Sequence, residues 1–70
     1  MTLPEIRLVK HFVGIAHEIG FNRDFQVFEA TMRAHADAQL YAKMSDKKIE
    51  RCLRTAYSEI VEQINRQRRR

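Results

Sequence analysis

The chain predicts an all-α fold, a small three-helix bundle, and three observations carry that reading. Apolar residues recur at intervals of three and four along most of its 70 residues, which is a helix period and not a strand period. Only two glycines and one proline are present, and Pro4 and Gly20 sit where a helix would start and stop. Residues that favour helix starts (Asn22, Asp24, Ser45) fall just ahead of the second and third periodic stretches.

The first helix is expected over residues 4–19. Pro4 suits a first helical turn, where its missing N–H is no loss, with Thr2 or Leu3 before it as cap. Ile6, Val9, Phe12, Val13, Ala16 and Ile19 form its stripe, and Leu8 and Ile15 widen that to half the cylinder. Gly14 inside this helix offers a place for another helix to approach closely. Gly20 reads as a left-handed stop, with Phe21 folding back over it.

The second helix is expected over residues 23–43, capped by Asn22. Phe25, Phe28, Met32, Ala36 and Leu40 make a large apolar face, and Val27, Ala30, Ala34, Ala38 and Tyr41 a smaller one. A helix that is apolar on two sides has two neighbours, so this one is expected at the centre of the fold. The third helix is expected over residues 46–66, capped by Ser45. Its stripe is Ile49, Cys52, Leu53, Ala56, Tyr57, Ile60 and Ile64. Residues 1–66 thus form a single helical domain, and residues 67–70 a basic, frayed tail.

A chain of this size buries only about 60% of its unfolded surface, and one cysteine allows no internal disulfide. Surplus apolar surface on the second and third helices points to a homodimer that pairs through helix faces. The opening MTLPEIR lacks the pattern of a signal peptide, and no apolar run approaches the roughly 18 residues of a membrane span. A cytoplasmic protein that engages no membrane is the expectation.

The charge is unevenly placed. Residues 1–45 carry five basic and five acidic side chains, residues 46–70 eight basic and four acidic, so the net +4 belongs to the last third. A neutral body with a basic end suits a polyanion or an acidic protein surface. Lys47, Lys48, Arg51 and Arg54 cluster at the start of the third helix, where cations oppose the helix dipole. Lys47, Arg51 and Arg54 share a face with Ser58 at spacings of four, three and four. Arg66, Arg68, Arg69 and Arg70 crowd its other end, where the dipole welcomes them and where a solubilising tail would look the same. Glu59 and Glu62 interrupt the two clusters and argue against one continuous phosphate track.

Other chemistry is poorly supported. Residues 15–21 match the first half of a helix-turn-helix, but Gln26 and Glu29 stand where its second half needs apolar residues. His11, His17 and His35 lack metal-ligand spacing, so no metal is expected. Cys52 lies on an apolar stripe and reads as an inert packing residue. No nucleophile–base pair and no phosphate-cradling loop is present, so neither an enzyme nor a cofactor is expected. Two functions remain. One is a small nucleic-acid-binding or transcription-modulating protein that contacts phosphates through the third helix and the arginine tail. The other is a non-enzymatic adaptor or inhibitor, of mobile-element or phage type, whose basic face docks on an acidic surface of a larger protein.

Overall fold

A computed structural model describes residues 1–68. It contains three α-helices and a single 3-10 turn: α1 (Leu3–Ile19), α2 (Phe25–His35), the turn at Ala38–Leu40, and α3 (Asp46–Arg68). No strand occurs among the described residues, and no helix there is long and apolar enough to cross a membrane. Arg69 and Arg70, the end of the expected arginine tail, lie outside the described residues. Gln67 and Arg68, expected to be frayed, complete the last turn of α3.

The ends of α1 follow its sequence. Thr2 is the N-cap, and Pro4 occupies the first turn. Glu5 reaches back, so that its Oε1 accepts from the Thr2 N–H at 3.4 Å and from the Thr2 hydroxyl at 2.9 Å. This is the return half of a capping box. Gly20 ends the helix with φ +98° and ψ 158°. That is an extended conformation open essentially to glycine alone, not the left-handed helical one expected. Phe21 does fold back: its ring lies 5.6 Å from Phe28 and 5.2 Å from Tyr57.

The buried face of α1 is Glu5, Leu8, Val9, Phe12 and Ala16. Leu8 and Phe12 are fully buried, whereas Ile6 and Ile19 are exposed at 39% and 47%. The helix is thus rotated to bury Leu8 and Phe12, on adjacent turns. Gly14 is exposed and a Cβ there would touch nothing, so no helix approaches through it.

The second helix departs most from expectation. It stops at His35, not near residue 43. Ala36 and Asp37 are extended, and the Asp37 carboxylate caps the 3-10 turn by accepting from the Gln39 N–H at 3.0 Å. In a continuing helix the Asp37 amide would donate to Arg33, but it donates instead to Nε2 of His11 on α1, at 3.1 Å. A capping residue and a distant imidazole together end the helix. Its start is shifted too: Asp24 is the N-cap and accepts from the Gln26 N–H, while Asn22 Oδ1 accepts from the Asp24 N–H.

Nor is α2 central. Phe28 and Met32 are its only buried residues, and Val27, Ala30 and Ala34, the small face, are exposed. The principal packing is α1 against α3. Buried Ile49, Cys52, Leu53, Ala56 and Ile60 of α3 join the α1 row and the two α2 side chains in one core. The helix-turn-helix pattern fails here as well, because α2 faces inward through Phe28 and Met32 while Gln26 is exposed.

A pair of substitutions tests this arrangement. Ala56 is fully buried on α3, and Ala34 is exposed on α2. Ala56→Arg should cost about 3 kcal/mol or more, or abolish folding, because it places an unpaired charge in the core. Ala34→Arg should change stability by no more than about 0.5 kcal/mol. Urea denaturation followed by circular dichroism compares them; equal midpoints would return α2 to the centre of the fold.

Candidate functional site

Helix α3 is built to present two different sides. Ser45 caps its start, and its Oγ accepts from the Lys48 N–H at 3.3 Å. The core row faces α1. On the outer side Lys47, Arg51, Arg54 and Ser58 line one open depression of about 470 Å³, with Glu50 and Thr55. Lys47, Arg51 and Arg54 are therefore brought together as their spacing predicts.

Lys48 belongs elsewhere. It lines a groove of about 760 Å³ between the start of α1 and the segment following the 3-10 turn, with Pro4, Glu5, Leu40 and Met44 among its walls. Arg66 lies in a third, smaller depression, beside Glu59, Glu62 and Gln63. Arg68 is exposed on the last turn. The eight predicted contact residues thus do not form one surface.

Carboxylates contact three of the arginines on α3, Arg51, Arg54 and Arg66. Glu50 Oε1 accepts from Arg54 Nε at 3.2 Å and from Nη2 at 2.9 Å. Glu62 Oε1 accepts from Arg66 Nη2 at 3.1 Å. Both are exposed i, i+4 pairs, worth a few tenths of a kcal/mol each. Arg51 meets a carboxylate from another helix: its Nη1 lies 4.0 Å from Oε2 of Glu5. Sequence reasoning missed that contact, because 46 positions separate the two residues. The Thr2-x-x-Glu5 spacing could have placed Glu5 in a capping box, but not beside α3.

Glu5 is the one buried charged residue among those described. Its Oε1 takes both Thr2 bonds, and its Oε2 is buried and accepts no hydrogen bond. The Thr2 hydroxyl is the main reason its carboxyl titrates below the ordinary glutamate range; burial opposes this, and the Thr2 amide, Lys48 and Arg51 reinforce it. The neighbouring Cys52 is fully buried. Burial pushes its thiol up, Glu5 adds to the effect, and Arg51 opposes it, so the sulfur stays protonated.

Two further features frame the outer side of α3, and neither was read from the sequence. The Arg54 guanidinium carbon sits 5.0 Å from the centroid of the half-buried Phe25 ring, a cation–π contact. Phe25 is held from behind by Phe28 and Tyr57, with centroids at 6.2 and 5.4 Å. The Tyr57 hydroxyl donates to the backbone carbonyl of Arg23 at 2.6 Å, which ties the α1–α2 loop to α3.

Two of the three histidines bond to distant parts of the chain, and His35 is exposed at the end of α2. His11 receives the Asp37 amide, and the His17 ring nitrogen pairs with Gln63 Oε1 at 3.1 Å. Among the described residues no group of three or more His, Cys, Asp or Glu could hold a metal ion. No protein-family model matches this chain, and comparisons with curated proteins and with solved structures find no match.

Glu5 gives this site a defined pH response. A carboxyl that titrates lower in the folded than in the unfolded chain adds stability above its ordinary range, about pH 4.3, and loses it as pH falls through the lowered native value. Glu5→Gln should therefore melt below the parent protein at pH 7, and the gap should close as pH falls below about 4. Thermal melts from pH 7 to 2.5 measure it. A gap that is the same at every pH would assign the effect to shape and not to charge.

Proposed function

We propose that this protein is a small, non-enzymatic nucleic-acid-binding protein that meets phosphates with the outer side of α3. One observation carries the reading: Lys47, Arg51 and Arg54 line a single open depression with the Ser58 hydroxyl, and the two arginine side chains are 65% and 66% exposed. Exposed cations in a row, backed by a rigid helix, are suited to phosphate contact. The Glu50 pairing with Arg54 is too weak to compete with a phosphate. Arg66 and Arg68 extend the positive charge along the helix, past Glu59 and Glu62. Modulation of transcription in the cytoplasm belongs to this proposal. So does a homodimer, for which the exposed row Val27, Ala30 and Ala34 is the available face.

A second reading has its own observation. Glu5 and Glu50 stand against two of the four cations at the start of α3 and reduce its field. Mixed charge of this kind, on a protein that also exposes Leu3, Ile6 and Leu40, suits an adaptor or inhibitor whose basic face docks on an acidic protein.

Salt separates the two. Binding to random-sequence DNA or RNA should weaken linearly in log[salt], and replacing Arg51 and Arg54 together by Ala should flatten the slope by about 0.7–0.9 per lost contact. Replacing Arg7 and Lys10, exposed on α1, should have much less effect. Fluorescence anisotropy at 50 and 200 mM salt measures both. Failure to bind either nucleic acid at the lower concentration would leave the adaptor reading standing.

A further inference from the structure

Phe25 is placed as if for a ligand that the basic row alone would not require. It opens α2, immediately after its N-cap Asp24, and its ring is neither sealed in the core nor free in solvent. Phe28 and Tyr57 fix its position, and Tyr57 is itself fixed by its bond to the Arg23 carbonyl. The group over its ring is the Arg54 guanidinium, which is mostly exposed and belongs to the row that includes Arg51 and Lys47. A rigid aromatic ring thus adjoins a line of cations.

We propose that Phe25 is a stacking platform for one unpaired base of a single-stranded nucleic acid whose phosphates follow Arg54, Arg51 and Lys47. The inference rests on the nucleic-acid reading above and narrows it to a substrate class. On binding, Arg54 turns from the ring to a phosphate, and a base takes its place. A base stacked on an aromatic ring is worth more than an exposed cation–π contact, and the Glu50 pairing that also holds Arg54 is an exposed one. A duplex keeps its bases stacked on one another and has none to offer Phe25. It would meet the row through phosphates alone, against a field already reduced by Glu5 and Glu50. A single strand gains from both the ring and the row, and stacking on a ring tolerates any base.

The chain contains no tryptophan, so Phe25→Trp in the full-length protein introduces one fluorophore at the platform. A mixed-sequence 12-nucleotide single strand and the 12-base-pair duplex of the same sequence are titrated at 50 mM salt. The expected result is tighter binding of the single strand and quenching of the tryptophan by it but not by the duplex. Phe25→Leu, with its melting temperature measured alongside, should weaken single-strand binding by roughly tenfold and leave duplex binding unchanged. Phe25→Tyr should retain the parent's preference. Equal binding of both forms, with no quenching and no effect of Phe25→Leu, would overturn this inference and leave the phosphate-binding reading intact. Binding of neither form would overturn both.

Discussion

The packing of α1 on α3 is the contact on which everything else in this molecule depends. Leu8, Phe12 and Ala16 lie on one helix and Cys52, Leu53, Ala56 and Ile60 on the other, all buried. Several of these side chains are small, which lets two helix axes approach closely. A chain of this size has no disulfide to replace that seam. The second helix covers one side of it with Phe28 and Met32 and leaves its own small face in solvent. Glu5 joins the two main helices at one end through Arg51, and its carbonyl lies 3.8 Å from the Cys52 sulfur, a weak contact.

That seam also determines what α3 can offer a partner. Because its inner row is committed to the core, its charged residues all face outward. There each arginine with an assigned carboxylate partner is held only lightly. Exposed ion pairs keep long side chains ordered at little cost to their availability, so Arg54 and Arg66 are positioned without being consumed, while Arg51 stays mostly exposed at 4.0 Å from the buried Glu5 carboxylate. The aromatic group Phe21, Phe25, Phe28 and Tyr57 packs where the α1–α2 loop meets α3, and there the core reaches the basic side through Phe25. A binding surface that combines a ring and a row of cations therefore follows from how the loop is tied down, not from any local motif.

The parts legible in the sequence were those governed by neighbours along the chain. The bounds of α1 and most of α3 follow from periodicity, Pro4, Gly20 and Ser45, and the shared face of Lys47, Arg51 and Arg54 follows from helical spacing. What was not legible depends on contacts between distant positions. The end of α2 is decided by His11 receiving the Asp37 amide across 26 residues, although Asp37 itself was a visible capping signal inside the supposed helix. The alanines of α2 suggested a close helix contact, yet a run of alanines reads alike whether it faces a partner helix or water. The place of Lys48 in a separate groove, the Glu5 contact to Arg51 and the Phe25 contact to Arg54 all arise only once the helices are packed.

The α1–α3 pair is the stable unit of this fold, and α2 and the segment after it lean on that pair. Native-state hydrogen exchange, followed residue by residue by NMR, tests it most directly, because local opening energies rank the elements by how firmly each is packed. The slowest amides should be those of residues 8–16 in α1 and 49–60 in α3. Residues 36–44 should exchange first, and α2 should fall between. If the amides of α2 outlasted those of both α1 and α3, the second helix, and not the α1–α3 pair, would be the core of the fold.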